Sequence, residues 1–276
     1  MGAGIDQTAL QSGAAVVVSE ADAGTVEAAR SRVADGLGLA HKRADDPGAA
    51  VDSDLARLTV SAGLPDVTPD LVVEALPEDA DLKRRVLGGL GERWPAVVIA
   101  TNTSSLSIDG LAVAVPGPER FLGMHFFNPV PRSALVEIVV GSATDPATTD
   151  VARAWVSRLG KESIAVRDSP GFATSRLGVA IGLEAIRMVA DSVASAADID
   201  RGMVLGYRFP MGPLQLTDLV GLDVRLAIAD HLAVELGARF EPPALLRQKV
   251  AAGELGKKTG RGFYDWTQGS EPVPVE

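Results

Sequence analysis

Residues 1–22 read MGAGIDQTALQSGAAVVVSEAD, and the fold class can be predicted from the pattern of this stretch. Its small residues predict the start of a helix, and the apolar run Ala15–Val18 predicts a short strand that closes at Glu20. A second helix is expected from about residue 23 to 37. A helix, a strand with an acidic residue at its end, and a further helix are typical of the second half of a dinucleotide-binding unit. In that unit the acidic residue accepts hydrogen bonds from the ribose hydroxyls of the dinucleotide.

The first half of such a unit is a strand that leads into the glycine fingerprint Gly-x-Gly-x-x-Gly. Only the third glycine of that fingerprint has a counterpart here, as Gly2. Three explanations stay open: the start codon is misassigned, the chain has been trimmed, or the chain has kept the fold and abandoned the dinucleotide. We predict a Rossmann-like α/β domain whose first strand is missing.

Further along the chain, the apolar runs 70–76 and 96–100 predict two buried parallel strands, and a helix is expected between them. The second run leads into Thr101–Ser105, which is rich in hydroxyl groups. Open α/β sheets bind ligands at the carboxyl ends of their strands, so this loop is a candidate ligand contact. Residues 38–66 read as polar and irregular, and 163–166 as a last short strand.

The pattern changes at Asp168, beyond which only helices are predicted, to about residue 255. We therefore expect a Rossmann-like domain over residues 1–168 and an all-helical domain over residues 169–276. Residues 172–190 are apolar almost all round, which favours a helix buried in a core or in a subunit interface.

The segment Met124–Val140 carries the strongest candidate chemistry. It places His125 among aromatic residues and then enters a strand that contains Glu137. Alternation along that strand leaves two interpretations, in which Glu137 either faces solvent or orients the imidazole of His125. An imidazole oriented by a carboxylate is suited to moving a proton near neutral pH.

Composition narrows the possible partners. The formal net charge is -10, the pI is about 4.9 and no basic stripe dominates, so nucleic acid is not expected as a partner. Cysteine is absent and no histidine pair has metal-ligand spacing, so no metal site is predicted. No signal peptide or membrane span is evident, and we expect a cytoplasmic protein.

In their order along the chain, these motifs resemble those of the 3-hydroxyacyl-CoA dehydrogenase family. The resemblance covers nearly the whole chain. It rests on Gly2–Ile5, Asp70–Ala75, Glu78, Lys83, Asn102–Ser105, His125–Pro131, Leu135–Glu137, Asp168–Phe172, Pro210–Pro213 and Gly256–Tyr264. It implies a dinucleotide-binding domain followed by a helical domain that binds substrate and forms a homodimer.

The resemblance implies reversible oxidation of a 3-hydroxyacyl thioester by NAD, with the acyl group on coenzyme A or on an acyl carrier protein. His125 then acts as the acid/base, Glu137 as its partner, and Ser104 as a hydrogen-bond partner of the substrate oxygen. Glu20 favours NAD over NADP, because a 2′-phosphate would meet a like charge there.

The same resemblance implies further contacts, each with a plainer alternative. Cofactor contacts are expected at Gly2, Glu20, Glu78, Lys83 and Asn102, and substrate contacts at Ser104, Asn128 and Lys42. Alternatively, the residues at 102 and 104 only form a turn, Glu78 and Lys83 are a solvated helical pair, and Lys42 is a solubilising charge.

One position departs from the family pattern. After Pro-Gly-Phe the family has an asparagine that positions the substrate, and here that position is Ser175. Serine is shorter, and a water can bridge the gap. Otherwise a lost transition-state contact lowers the rate by ~10²-fold, or the serine signals a different substrate.

Two competing functions follow from these departures. One is a non-redox enzyme of cyclase or dehydratase type that has lost NAD binding and uses His125 as its acid/base. The other is a catalytically silent binding homologue, in which His125→Ala changes no measurable activity.

Overall fold

The computed structural model describes residues 1–43, 49–267 and 273–274. The chain forms two compact units, Met1–Asp168 and Ser169–Glu276. Within the described ranges, no helix is long and apolar enough to cross a membrane.

The first unit alternates helices and strands. Its helices are α1 (Gly2–Gln11), α2 (Ala23–Arg43), α3 (Ala49–Leu55), α4 (Ala80–Arg93), α5 (Ile108–Ala112) and α6 (Pro146–Arg158). Its strands are β1 (Val16–Glu20), β2 (Leu58–Ala62), β3 (Leu71–Glu74), β4 (Val98–Thr101), β5 (Phe121–Phe126), β6 (Leu135–Val140) and β7 (Glu162–Arg167).

These strands form two sheets. The first has the order β1-β2, and the second has the order β3-β4-β5-β6-β7. All pairs are parallel except β5 with β6, which is antiparallel. In a doubly wound sheet the first strand lies in the middle, so the break between β1 and β3 falls where that strand belongs. The expected Rossmann-like fold is confirmed, and no strand precedes α1 in the described chain.

Helix α1 joins the cores of the two sheets. Its Ile5 packs with the five-stranded sheet around Leu122 and Ile138. Its Leu10 packs with β1 and β2 and with Val33 of α2. The apolar side chains of α1 thus take over part of the contact that a continuous sheet would provide.

The expectation that residues 38–66 are irregular was wrong. Helix α2 continues to Arg43, α3 covers Ala49–Leu55, and β2 pairs with β1 over Leu58–Ala62. The sequence of β2, Leu-Thr-Val-Ser-Ala, alternates apolar and polar residues as a half-buried strand does. Polar residues on either side of β2 make this alternation difficult to recognise in the sequence.

The second unit is helical. Its helices are α7 (Thr174–Ala190), α8 (Ala196–Tyr207), α9 (Pro213–Val220), α10 (Leu222–Leu236) and α11 (Ala244–Ala251), followed by the short strands β8 (Tyr264–Asp265) and β9 (Val273–Pro274). Its core gathers Val179, Leu183 and Ile186 of α7 with residues of α9, α10 and α11. Helix α7 is not buried all round, because Leu177 is 62% exposed.

Two buried aspartates hold the motifs at residues 210–216 and 256–264. Asp200 accepts hydrogen bonds from the backbone N–H of Leu214 and Gln215 in the first turn of α9, and from the hydroxyl of Tyr264, each at 2.8 Å. Asp218 accepts from the backbone N–H of Phe263 and Tyr264, and from the indole of Trp266, each at 2.9 Å. These motifs therefore secure the packing of the helical unit.

Candidate active site

The His125–Glu137 pair is built by the antiparallel strands β5 and β6. The two residues lie directly opposite each other in the register, so their side chains meet on the same face. His125 Nδ1 lies 3.1 Å from Glu137 Oε2. Glu137 is 0% exposed and His125 is 7% exposed. The four central residues of β6 are all buried, so both faces of the strand are covered there and Glu137 does not face solvent.

The carboxylate selects the tautomer of the imidazole. An ionised carboxylate only accepts hydrogen bonds, so Nδ1 of His125 carries the hydrogen that faces Glu137. Nε2 is then the nitrogen that takes up or releases a proton. The ring of Phe127 lies against the imidazole, with 4.6 Å between the ring centroids.

Asn102 ties the end of β4 to the strand that carries His125. Its side-chain oxygen accepts a hydrogen bond from the backbone N–H of Phe126 at 2.9 Å. Its own backbone N–H donates to the carbonyl of Glu74 at 2.7 Å. Asn102 therefore connects the carboxyl ends of three neighbouring strands, β3, β4 and β5.

The hydroxyl-rich loop Thr103–Ser105, called the serine loop below, is held by Glu78. Oε1 of Glu78 accepts from the Thr103 hydroxyl at 2.6 Å, from Ser104 N–H at 2.8 Å and from Ser105 N–H at 3.0 Å. Burial acts to raise the pKa of the Glu78 carboxyl, but these hydrogen bonds and the charge of Lys83 outweigh it, and the pKa lies below its ordinary value. The loop is organised around an anion.

Lys83 is fully buried, which rules out the solvated helical pair as its explanation. Its ammonium donates to Glu74 at 2.8 and 3.1 Å and to the carbonyl of Leu76 at 3.1 Å. It also lies 3.6 Å from Oε2 of Glu78, whereas the loop is bound by Oε1. Neither Glu74 nor Thr101, which donates to Glu74 at 2.6 Å, was singled out from the sequence.

Glu20 ends β1 at the edge expected for a ribose contact. Its carboxylate lies 3.6 Å from Arg32 of α2. Asp6 of α1 is a neighbour that sequence reasoning missed: burial and then the negative charge of Glu20 raise its pKa from 3.8 to about 7. An acidic residue inside a run of small residues was the available signal.

The donors and acceptors in this region fit a dinucleotide. The first N–H groups of α1 have no acceptor within the helix, and a helix N-terminus favours phosphate. Gly2 and Ala3 place no large side chain over that end, while a Cβ at Gly4 would already lie 3.0 Å from Val130. Glu20 supplies a carboxylate for ribose hydroxyls at the end of β1.

The remaining candidates lie apart from the acid/base pair or in the other unit. Asn128 is exposed in the turn after β5, where the Asn128–Pro129 peptide is cis. Lys42 is exposed in the last turn of α2. Ser175 is half-buried in the first turn of α7, in the helical unit. Within the described residues, no cluster of histidine and acidic side chains has the makings of a metal site.

An acidic residue at the end of β1 and a helix N-terminus suit a dinucleotide, and the buried histidine–glutamate pair suits proton transfer. A family model for the NAD binding domain of 3-hydroxyacyl-CoA dehydrogenase matches residues 1–169, and the model for the C-terminal domain matches residues 171–266. The chain belongs to the 3-hydroxyacyl-CoA dehydrogenase family. The resemblance and the expectation of NAD as cofactor are confirmed.

Individual relatives agree with the family. A 3-hydroxybutyryl-CoA dehydrogenase of Mycobacterium tuberculosis H37Rv is 40% identical over 271 residues, which cover 96% of this chain and 95% of the relative. One from Bradyrhizobium diazoefficiens is 37% identical over 278 residues, covering 100% of this chain and 94% of the relative. The solved (S)-3-hydroxybutyryl-CoA dehydrogenase from Ralstonia eutropha superposes with a TM-score of 0.90 at 39% identity, covering 97% of this chain and 96% of that one. Nothing among these matches supports the non-redox alternative.

Proposed function

We propose that the chain interconverts 3-hydroxyacyl and 3-ketoacyl thioesters of coenzyme A with NAD(H), and that 3-hydroxybutyryl-CoA is its reference substrate. The observation that carries this proposal is the buried contact of 3.1 Å between His125 and Glu137 at the carboxyl end of β5. The substrate class is supported by the relatives, which are named for 3-hydroxybutyryl-CoA. An acyl carrier protein thioester is the alternative form of the same substrate.

The proton is handled by His125. In the oxidation, Nε2 removes the hydroxyl proton of the substrate, and the charge that develops on the ring is stabilised by Glu137 at Nδ1. In the reduction, the same nitrogen donates that proton to the keto oxygen. NAD, when bound, supplies the hydride acceptor. The burial of the pair excludes water that would otherwise compete for the proton.

The serine loop and its neighbours position the reactants. Ser104 follows the carboxyl end of β4, which pairs with the strand of His125, and this position supports the role that we assign to its hydroxyl, a hydrogen bond to the substrate oxygen. We assign cofactor contacts to Gly2, Glu20, Glu78 and Asn102. Lys83, the fifth expected cofactor contact, is fully buried against Glu74 and Leu76, and we assign it an indirect role through Glu78. Substrate contacts are assigned to Asn128, to Lys42 and, in the helical unit, to Ser175. The α/β unit would then hold NAD, and the helical unit would hold the acyl chain and the subunit partner.

A matrix of cofactors and carriers tests this function. The purified chain is given either acetoacetyl-CoA or an acetoacetyl carrier protein. Each substrate is tested with NADH, with NADPH and without a nicotinamide. Turnover is measured from the loss of reduced cofactor and from the mass of the product. We expect the highest kcat/KM with acetoacetyl-CoA and NADH. Conversion without nicotinamide, or preference for NADPH, would contradict the proposal.

We further propose that the helical unit forms a homodimer through exposed apolar side chains of α7 and α9. Leu177 and Ile181 lie one turn apart on α7 and are 62% and 37% exposed, and Leu216 of α9 is 41% exposed. Exposed apolar groups on packed neighbouring helices favour an interface. Light scattering should give twice the chain mass, and Leu177→Glu should give monomers. Val234→Glu is the control, since Val234 is 84% exposed on α10.

The cytoplasmic location is part of the proposal as well. It is supported by a sequence that contains no cysteine, as suits a reducing compartment. Cell fractionation with an antibody to the chain checks it.

A further inference from the structure

We propose that Lys83 is a positioning residue for this reaction: its buried ammonium joins Glu74 to Glu78 and so holds the serine loop at the end of β4. This inference rests on the proposed function, because the loop carries Ser104. Lys83 itself touches no reacting atom. Its influence passes through Glu78.

The first part of the arrangement is the clamp on the loop. One oxygen of Glu78 accepts hydrogen bonds from two backbone N–H groups and from the hydroxyl of Thr103. It also lies 3.3 Å from the hydroxyl of Ser104 and 3.0 Å from that of Ser105. So many donors around one oxygen require a carboxylate anion. Loss of that charge would release the loop.

The second part is the cation beside the clamp. The three hydrogens of the Lys83 ammonium are used by the two oxygens of Glu74 and by the carbonyl of Leu76. Glu78 therefore receives no short hydrogen bond from Lys83 and is held by charge at 3.6 Å. The Lys83 ammonium therefore interacts with two carboxylates. It hydrogen-bonds Glu74 and attracts Glu78 electrostatically over a longer distance.

The third part anchors the cation to the sheet. Glu74 ends β3 and accepts from the hydroxyl of Thr101, the last residue of β4, at 2.6 Å. The backbone N–H of Leu76 also donates to Glu74. Since Asn102 follows Thr101 and holds the backbone of Phe126, the same strand ends fix both the serine loop and the strand of His125. Lys83 is placed by the same sheet that places the acid/base.

Stability alone does not account for this arrangement. Taking an ammonium and a carboxylate out of water carries a large desolvation penalty, and apolar residues of equal volume often stabilise such a site as well or better. Lys83 is 0% exposed and Glu74 is 4% exposed, so the full cost of desolvation applies. What an apolar pair cannot provide is a fixed positive charge beside Glu78.

The test compares a charge-free pair with a matched surface control. Glu74→Gln with Lys83→Met removes both buried charges together, so no uncompensated ion is left inside. Arg85→Met removes a positive charge from an exposed position on the same helix. Glu78→Ala is the reference for a fully released loop. Each variant is measured for thermal unfolding, NADH affinity, kcat and KM with acetoacetyl-CoA, and hydrogen exchange of the peptide that covers residues 101–107.

We expect the double variant to unfold near the native temperature. Because Glu78 is itself assigned a cofactor contact, the NADH affinity of the double variant should fall no further than that of Glu78→Ala. Its kcat should fall by about 10- to 100-fold, because a misplacement of ~1 Å costs on that order. Hydrogen exchange in the loop should accelerate towards that of Glu78→Ala. The Arg85→Met control should match the native chain in every measurement.

Native kcat together with native loop exchange in the double variant would overturn the proposal. A loss of activity that tracks a loss of folding, with the loop exchanging no faster than the rest, would overturn it too. If the double variant does not fold, Lys83→Gln, which keeps a donor towards Glu74, is judged by the same two readouts. The exchange measurement needs no turnover, so it separates failure of this inference from failure of the proposed reaction.

Discussion

The central strands of the five-stranded sheet are buried more deeply than strand β1 of the two-stranded sheet, and the two places carry different candidate residues. In the five-stranded sheet, every residue of β4 and β5 is buried, and β6 is buried over its four central residues. In the two-stranded sheet, β1 alternates between half-buried and exposed residues, and Val17 is 40% exposed. The five-stranded sheet carries His125 and Glu137, and the two-stranded sheet carries Glu20.

If His125 and Glu20 have the roles proposed for them, this difference in burial separates proton handling from the ribose contact. The acid/base pair is fixed by packing on both sides, because β6 pairs with β5 and with β7. Glu20 sits on a strand with one neighbour, β2, and is supported by α1 and α2. Low local burial lowers the free energy of local opening. The site for the dinucleotide is therefore expected to open more readily than the site of the acid/base.

The largest expected effect comes from removing the acid/base itself. His125→Ala should lower kcat by about 10³-fold, because a positioned general acid/base contributes roughly 10²–10⁴-fold. The matched control is His231→Ala, since His231 is exposed on α10 in the helical unit. Initial rates of acetoacetyl-CoA reduction check this. A His125→Ala rate within a few-fold of native would place the acid/base elsewhere.

The stability of the two sheets can be compared with one chemical change. Val139 of β6 is 0% exposed and Val17 of β1 is 40% exposed. Val139→Ala should lower the free energy of unfolding by about 2 kcal/mol, from two lost methyl groups and the cavity they leave. Val17→Ala should lower it by less than ~0.5 kcal/mol. Urea titration measures both, and equal losses would remove the contrast between the sheets.

A smaller effect concerns pH and the two-stranded sheet. The pKa of Asp6 is raised from 3.8 to about 7, so the folded chain holds this proton more tightly than the unfolded chain does. The stability that this group contributes is present below about pH 4 and is lost as pH rises to about 7. Asp6→Asn cannot ionise, so its unfolding free energy should lack this decline, a difference on the order of 4 kcal/mol at pH 8.

The control for that prediction is Asp35→Asn, because Asp35 is exposed on α2. Its unfolding free energy should follow the native pH dependence. Asp6→Asn and native curves that run parallel from pH 4 to pH 8 would mean that Asp6 ionises normally in the folded chain.

The buried strands and the acid/base could be predicted from the sequence, because their signals are local. The runs at β3 and β4 are continuously apolar, and a glutamate inside Leu-Val-Glu-Ile-Val-Val stands out. The alternation rule left open whether Glu137 faced solvent. The packing of both faces of β6 decided it, and the residues that cover those faces, such as Ile5 and Ala152, lie elsewhere in the chain.

The elements that sequence reasoning missed depend on long-range partners. Strand β2 is short and half polar, and it exists because β1 offers a parallel edge. Glu74 looked like the end of an apolar run, and its role appears only once Lys83 and Thr101 reach it from α4 and β4. Asp6 lies on α1 and Glu20 ends β1, and the charge of Glu20 affects Asp6 only in the folded chain.

The central claim is that the acid/base and the ribose contact are separable, with His125 and Glu137 on the five-stranded sheet and Glu20 on the two-stranded sheet. The most direct test measures NAD affinity and saturated kcat for Glu137→Gln and Glu20→Gln side by side. Glu137→Gln should lower kcat by ~10²-fold and leave the Kd for NAD within about twofold of native. Glu20→Gln should weaken NAD by about tenfold and leave saturated kcat near native. If both variants change the same quantity, the separation is contradicted.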